Sequence, residues 1–307
     1  MLRRITSFLF LACVLRAERF EGVEPHMGTL VRVTIYSKDA SPIKAAFRRI
    51  SELDEKLSDY DPDSELNRLC RTYNEAVKVS EDLFHVLEAS QTLSKLTDGA
   101  FDVTIGAVTH LWRVGKTPDA ETMARVGWRN LVLNKRHRTA ELKVAGMQLD
   151  LGAIAKGFAA DEALKTLRGL GVNRALIAVS GDIVAGDAPP GTRGWRVGVE
   201  PAGGEILLRN AAVSTSGDTE QSRQIGGVRY SHIIDPKTGR GLTSSIAVTV
   251  VARRGLEADP IATAVSVLGE QRGRAVFHGF GSSAAPRRPA AGGLGEASRS
   301  ISVISTR

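Results

Sequence analysis

The chain has 307 residues, 42% hydrophobic and 24% charged, the composition of a soluble globular protein long enough for a sizeable core. Its formal charge of +7 belongs to the ends. Arg3, Arg4 and Arg16 lie in residues 1–17, and Arg287, Arg288, Arg299 and Arg307 face only Glu296 in residues 281–307, leaving 34 basic against 33 acidic residues between them. That near-neutral body excludes a nucleic-acid-binding face, and two cysteines, Cys13 and Cys70, exclude a disulfide framework.

Arg3-Arg4 precede an apolar run from Ile5 to Leu15, too short to span a bilayer and of the length of a signal-peptide core. Residues 1–17 therefore read as a signal segment, with cleavage after Ala17. Alternatively, Phe10-Leu11-Ala12-Cys13 loosely resembles a lipoprotein cleavage box, with Phe where Leu is usual, and implies membrane anchoring through Cys13. Either reading predicts a cell-envelope protein; an ordinary buried strand is the third alternative.

Residues 29–36 alternate apolar and polar side chains and predict a strand. Ser41-Pro42 opens a helix with Ile43, Phe47, Ile50, Leu53 and Leu57 on one stripe. A loop at 59–63 leads to a short helix over 64–70, ending at a buried Cys70, and Ser80 caps a helix to about residue 96. Residues 97–106 read as a loop entering a short strand. Further strands are expected near 131–133, 141–144 and 147–151, then a helix from about 154 to 170 ending at Gly171. The second half predicts strands at 175–179, 195–200, 205–208, 212–214, 228–234 and 246–252, with a turn at Asp235-Pro236-Lys237-Thr238-Gly239. A last helix is expected to start at Asp259. Strands and helices do not alternate as in a doubly wound sheet, so the expected class is α+β, with mixed, mainly antiparallel sheets flanked by helices. Residues 18–280 read as one catalytic domain, and the Gly/Ala/Ser/Pro/Arg-rich segment 281–307 as a disordered or atypical C-terminal tail.

Four segments carry chemistry. Asp259 suits a helix N-cap and Pro260 the first helical position. Thr263, four residues on, shares a face with Asp259, and such an oxygen pair suits Mg²⁺ as well as a plain capped core helix. Residues 149–157 pass from a strand through a Gly turn into a helix start, where free N–H groups and Lys156 offer a phosphate site. No Walker A spacing is present, and a simple strand–helix joint with Asp150 near the cap is the bland alternative. In Ser58-Asp59-Tyr60, the ring of Tyr60 is placed to stack on a flat heterocycle or to pack on its own loop. His232, before the 235–239 turn, is either a structural histidine or one that takes a proton from a hydroxyl.

In order, Met27-Gly28-Thr29, Ser58-Asp59-Tyr60 with Asp63-Ser64-Glu65-Leu66, Asp98-Gly99-Ala100-Phe101-Asp102, residues 150–157, His232-Ile233-Ile234-Asp235-Pro236 with Thr238-Gly239, and residues 259–263 together resemble the FAD:protein FMN transferases, the ApbE or thiamine-biosynthesis lipoprotein family. The resemblance spans about residues 27–277. It implies Mg²⁺-dependent transfer of FMN from FAD to a Ser/Thr hydroxyl in the flavinylation motif of an acceptor flavoprotein, releasing AMP. By motif position Asp259, Thr263 and the Ala153 carbonyl would hold Mg²⁺. Met27, Tyr60, Ala100, Phe101, Asp102, Asp150, Lys156, Ile233 and Ile234 would contact FAD, and His232 would accept the proton. Two other readings use the same segments: an FAD diphosphatase giving FMN and AMP, and a non-catalytic envelope FAD-binding protein. Members of the family usually continue past the last helix into closing strands, whereas here the apolar pattern fades after Phe277.

Overall fold

The computed structural model describes residues 17–199, 204–216, 222–244, 247–277 and 302–306. Strands β1 (Glu18–His26) and β2 (Thr29–Ser37) pair as an antiparallel hairpin. Its two-residue turn needs positive φ at both positions, which Met27 (φ 51°) and Gly28 (φ 70°) supply. A methionine there is strained, and its N–H is held by Asp54 Oδ2 at 2.7 Å. Asp54 lies in α1 (Ser41–Leu57), whose expected stripe is buried and which carries Pro42 in its first turn. Helices α2 (Glu65–Cys70) and α3 (Glu81–Leu96) start as predicted on Ser64 and Ser80, whose hydroxyls accept the N–H groups of Asn67 and Leu83. Strand β3 (Val77–Lys78) joins β4 (Leu131–Asn134) and β5 (Thr139–Leu142) in a small sheet; α4 (Gly106–Arg113) and α5 (Ala120–Met123) precede β4.

The remainder builds the centre. Helix α6 (Ala155–Gly169) leads into β6 (Ala175–Val179) and β7 (Asp182–Ala185), then the hairpin β8 (Trp195–Val199) and β9 (Gly204–Leu208) and strand β10 (Ala211–Ser216). Two small hairpins follow, β11 (Ser222–Ile225) with β12 (Val228–Ser231) and β13 (Ile234–Asp235) with β14 (Arg240–Gly241). Strand β15 (Ala247–Ala252), helices α7 (Gly255–Leu268) and α8 (Glu270–Phe277), and β16 (Ser302–Thr306) close the order. The main sheet runs β1-β2-β6-β7-β10-β15-β16, antiparallel throughout. One face, through Val33, Ile177, Val179 and Val250, shares a core with α1, α3, α6 and α7. The other carries Leu176, Ile183, Val213 and Val251 against Trp195, Val197 and Leu208 of the β8–β9 hairpin. The α+β class with mainly antiparallel sheets flanked by helices is therefore the observed one.

Four expectations need correction. The last helix starts at Gly255, so Asp259 and Pro260 sit inside it rather than at its cap. The actual cap comes from α6: Asp161 accepts the N–H groups of Gly255 and Leu256 at 2.8 and 2.9 Å. The strand expected over 228–234 breaks at His232, because the Ser231 hydroxyl accepts the Ile233 N–H and closes a local turn. The strands expected in 97–106 and at 147–151 reduce to one parallel bridge, Ile105 with Gln148, and residues 106–113 are helical. Finally, the segment expected to be a disordered tail supplies β16, paired with β15. Residues 1–16, including the signal core and Cys13, and residues 278–301 lie outside the described residues. No helix among the described residues is long and apolar enough to cross a membrane.

Helices α6 and α7 cross backbone to backbone. A Cβ on Gly157 would lie 2.2 Å from the Gly255 carbonyl oxygen, and one on Gly255 2.3 Å from that of Gly157. Gly255→Ala should therefore cost about 1–3 kcal/mol by overpacking, read from chemical denaturation. A variant as stable as the parent would mean that the helices can separate freely.

Candidate active site

The start of α6 is where separate segments converge. Asp150 does not cap the helix: its Oδ1 accepts the Gly152 N–H at 2.8 Å, closing a turn, and its Oδ2 takes an Arg113 nitrogen at 2.9 Å. The helical ladder opens with the Phe158 N–H donating to the Ile154 carbonyl, leaving the Ala153 carbonyl just outside it. The Gly157 N–H donates instead to Asp259 Oδ2 at 3.2 Å, tying α6 to α7. Lys156 donates to the Gly152 carbonyl, and its Nζ stands 3.8 Å from Asp182 Oδ2. Asp182, at the start of β7, accepts the Ser214 hydroxyl on its other oxygen.

Asp182 and Asp259 are only 4% and 5% exposed. Burial pushes Asp259 up to about 7; the nearby Asp182 adds to this, while Lys156 and the Gly157 N–H pull the other way. Burial likewise raises Asp182 against the pull of Lys156 and Ser214. Burial alone would lower Lys156, but Asp259, Asp182 and Asp150 outweigh it and hold the ammonium protonated. Two buried carboxylates thus share one ammonium, a surplus of negative charge suited to a cation. Among the described residues no group of three His, Cys, Asp or Glu side chains could hold a metal. Thr263 follows Asp259 by one turn of α7, and a carboxylate, a hydroxyl and a main-chain carbonyl are oxygen donors of the type Mg²⁺ accepts, with water and phosphate completing its shell. In chemical type these donors suit that ion.

Tyr60 is 74% exposed, with the Arg113 guanidinium over its ring at 4.1 Å. Met27 sits on α1, whose last turn leads into Asp59 and Tyr60. Ala100, Phe101 and Asp102 are buried. The Asp102 carboxylate accepts the Thr104 N–H and hydroxyl and the Trp128 N–H, so it fixes its own loop. That loop meets the 235–239 turn through an Asp98–Lys237 ion pair at 3.0 Å. Trp112 of α4 grips the same turn, its Nε1–H donating to the Gly239 carbonyl at 2.7 Å. His232 lies exposed in the bend just before it. Ile233 is buried, with its N–H bonded to Ser231 and its carbonyl to the Leu242 N–H; Ile234 pairs with Gly241.

Sequence reasoning missed Asp182, Arg113 and the capping role of Asp161. Ile105, Val108 and Trp112 are spaced as one helical face and would have signalled α4. Nothing local marks Asp182, which follows a turn between two strands. Volume does not locate the cluster either: a cavity of about 590 Å³ lies along α6, lined by His85, Phe158, Arg168 and Arg254, and contains neither Lys156 nor Asp259.

A family model described as the ApbE family matches residues 27–284, which hold every site candidate above. The chain belongs to the ApbE family. The FAD:protein FMN transferase of Treponema pallidum is 34% identical over 300 residues, covering 86% of this chain and 83% of its own. That of Vibrio cholerae is 31% identical over 299 residues, covering 89% and 88%. Among solved structures, a mutant of the flavin transferase ApbE from Vibrio cholerae matches with a TM-score of 0.77 at 30% identity, over 85% of this chain and 90% of that one. The ApbE protein of Thermotoga maritima matches at 0.77 and 29%, over 86% and 91%. This ApbE-family chain therefore shares its fold with the Vibrio cholerae flavin transferase over about 85% of its length.

The buried acids give a pH signature. Because the folded-state pKa of Asp259 is raised, its contribution to stability is present below the ordinary value of 3.8 and lost as pH rises through about 7. Asp259→Asn should be close to the parent near pH 4 and gain on it toward pH 7, with a limiting slope of about 1.4 kcal/mol per pH unit. Urea denaturation without divalent cations reads the gap; a gap independent of pH would mean that Asp259 is not held in this way.

Proposed function

We propose that this protein transfers the FMN moiety of FAD to a Ser/Thr hydroxyl of an acceptor flavoprotein, with Mg²⁺, forming a phosphoester and releasing AMP. The observation that carries this reading is the Lys156–Asp182–Asp259 cluster at the start of α6 in a chain of the ApbE family. The acceptor hydroxyl oxygen bonds to the FMN-side phosphorus, the bridging P–O bond breaks, AMP leaves with its electron pair, and the hydroxyl proton passes to a base. His232, exposed in a bend, is the residue assigned that proton. Lys156 binds the phosphates with a charge its carboxylate neighbours keep protonated. Asp259, Thr263 and the Ala153 carbonyl would hold Mg²⁺, which when bound supplies charge neutralisation across the pyrophosphate. Met27, Tyr60, Asp150 and the 100–102 and 233–234 segments frame the dinucleotide. The Arg3-Arg4 and apolar N-terminal sequence supports a cell-envelope location, with Cys13 as a candidate anchor.

Incubation with FAD, Mg²⁺ and an acceptor flavoprotein should add the mass of one FMN to the acceptor with one AMP released. Free FMN and AMP with an unmodified acceptor would instead make the protein a diphosphatase. His232→Ala should lower kcat by about 10²-fold or more, with little change in FAD affinity measured by flavin fluorescence. An equal loss in both would make His232 a binding residue.

A further inference from the structure

Arg113 is the last residue of α4, outside every segment that carries the family resemblance, yet it touches three of the molecule's separate pieces. One guanidinium nitrogen lies 2.6 Å from Asp59 Oδ2, another 2.9 Å from Asp150 Oδ2, and the plane of the group covers the Tyr60 ring at 4.1 Å. Its carbonyl accepts Arg223 from β11 at 2.6 Å. The Asp59 side chain is 7% exposed and also stands 3.4 Å from His110 Nε2, one helical turn before Arg113.

Each contact has a consequence. Ser58 fixes the backbone of the Tyr60 loop, its hydroxyl accepting the N–H groups of Tyr60 and Asp61 at 3.2 and 3.1 Å. A backbone turn does not fix a ring, and an exposed tyrosine otherwise turns freely about its side-chain bonds. The guanidinium plane settles that, covering one face of the ring while 74% of Tyr60 remains exposed. The same group neutralises Asp59 and Asp150, two carboxylates that would otherwise repel the phosphates of an approaching dinucleotide. Lysine cannot make this arrangement, because an ammonium has neither the fork that spans two carboxylates nor the plane that stacks.

We propose that Arg113 is a positioning residue of the dinucleotide site: it orients Tyr60 from behind so that the free ring face receives a flat heterocycle, and in the same act holds Asp150 in register with that ring. The proposal rests on the FAD reading above and adds to it the residue that preorganises recognition. Asp59 and His110 serve Arg113 rather than the ligand.

The test is FAD binding in EDTA, read by quenching of flavin fluorescence, with transfer kinetics measured separately. Arg113→Lys keeps the charge between the carboxylates and so preserves the fold, which thermal unfolding checks; Tyr60→Leu removes an exposed ring. Each should raise the Kd for FAD about tenfold. The double variant should raise it well short of a hundredfold, because the two side chains act as one unit. In turnover, Arg113→Lys should raise KM for FAD while changing kcat less than threefold, a split that general loss of structure does not produce. FAD binding within twofold of the parent, or fully multiplying effects in the double variant, would overturn the proposal. If the parent binds FAD but transfers no FMN, the transferase reading fails while the binding comparison still decides the role of Arg113.

Discussion

The backbone contact between α6 and α7 is the constraint on which the site depends. Two residues without side chains, Gly157 and Gly255, let the helices touch main chain to main chain. One turn along α6, Asp161 supplies the cap of α7, and in return Asp259 of α7 accepts the Gly157 N–H of α6. Each helix thus satisfies donors at the other's start, where four N–H groups lack partners within their own helix. The exchange fixes Asp259 on the Gly157 N–H, the residue next to Lys156, without a flexible loop between the two helices. Asp161 bears a cost: burial pushes it up to about 6 despite its two N–H partners.

That geometry makes the acid cluster electrostatically unfinished. Asp182 and Asp259 are both buried and both raised, with Lys156 the cation that faces them. Around Asp82, by contrast, two cations, Arg49 and Lys56, pair with the carboxylate and hold its carboxyl down at about 2. The outcomes are opposite because Asp182 and Asp259 are more deeply buried than Asp82 and have less positive charge beside them. A site left short of cations by its own protein is suited to receive one from outside.

Much of the scaffold was legible in the sequence because its signals are local. Serine caps at Ser64 and Ser80, the apolar stripe of α1, the Asp235–Gly239 turn and the alternating strands each lie within a few residues of their cause. The failures are non-local. Asp259-Pro260 has the form of a helix start, but α7 is begun by a carboxylate 94 residues away in sequence, so the helix extends one turn earlier than its own residues suggest. Strand β1 is rich in glutamate and lies at the sheet edge, so it shows little alternation of burial. The site followed the same division. Its motif residues are candidates read by type and order, whereas Asp182 and Arg113, which pair across the fold, carry no signature in their neighbours.

The site candidates are also divided in depth. Asp182, Asp259 and Asp102 of the 100–102 loop are buried and held by the Ser214 hydroxyl, the Gly157 N–H and the Thr104 and Trp128 N–H groups respectively. Tyr60 and His232 are exposed, and both stand on segments shaped by short side-chain turns, at Ser58 and Ser231 respectively. In the proposed transfer the phosphates of a small dinucleotide would meet the buried acids, whereas a hydroxyl on a folded protein would approach from solvent. For the proposed transfer, the base that meets the protein substrate must therefore be on the outside and the charge-stabilising groups on the inside. Helix α4 spans the two, with Trp112 gripping the turn beside His232 and Arg113 gripping Asp150, so a single rigid element sets the distance between the outer and inner halves of the site.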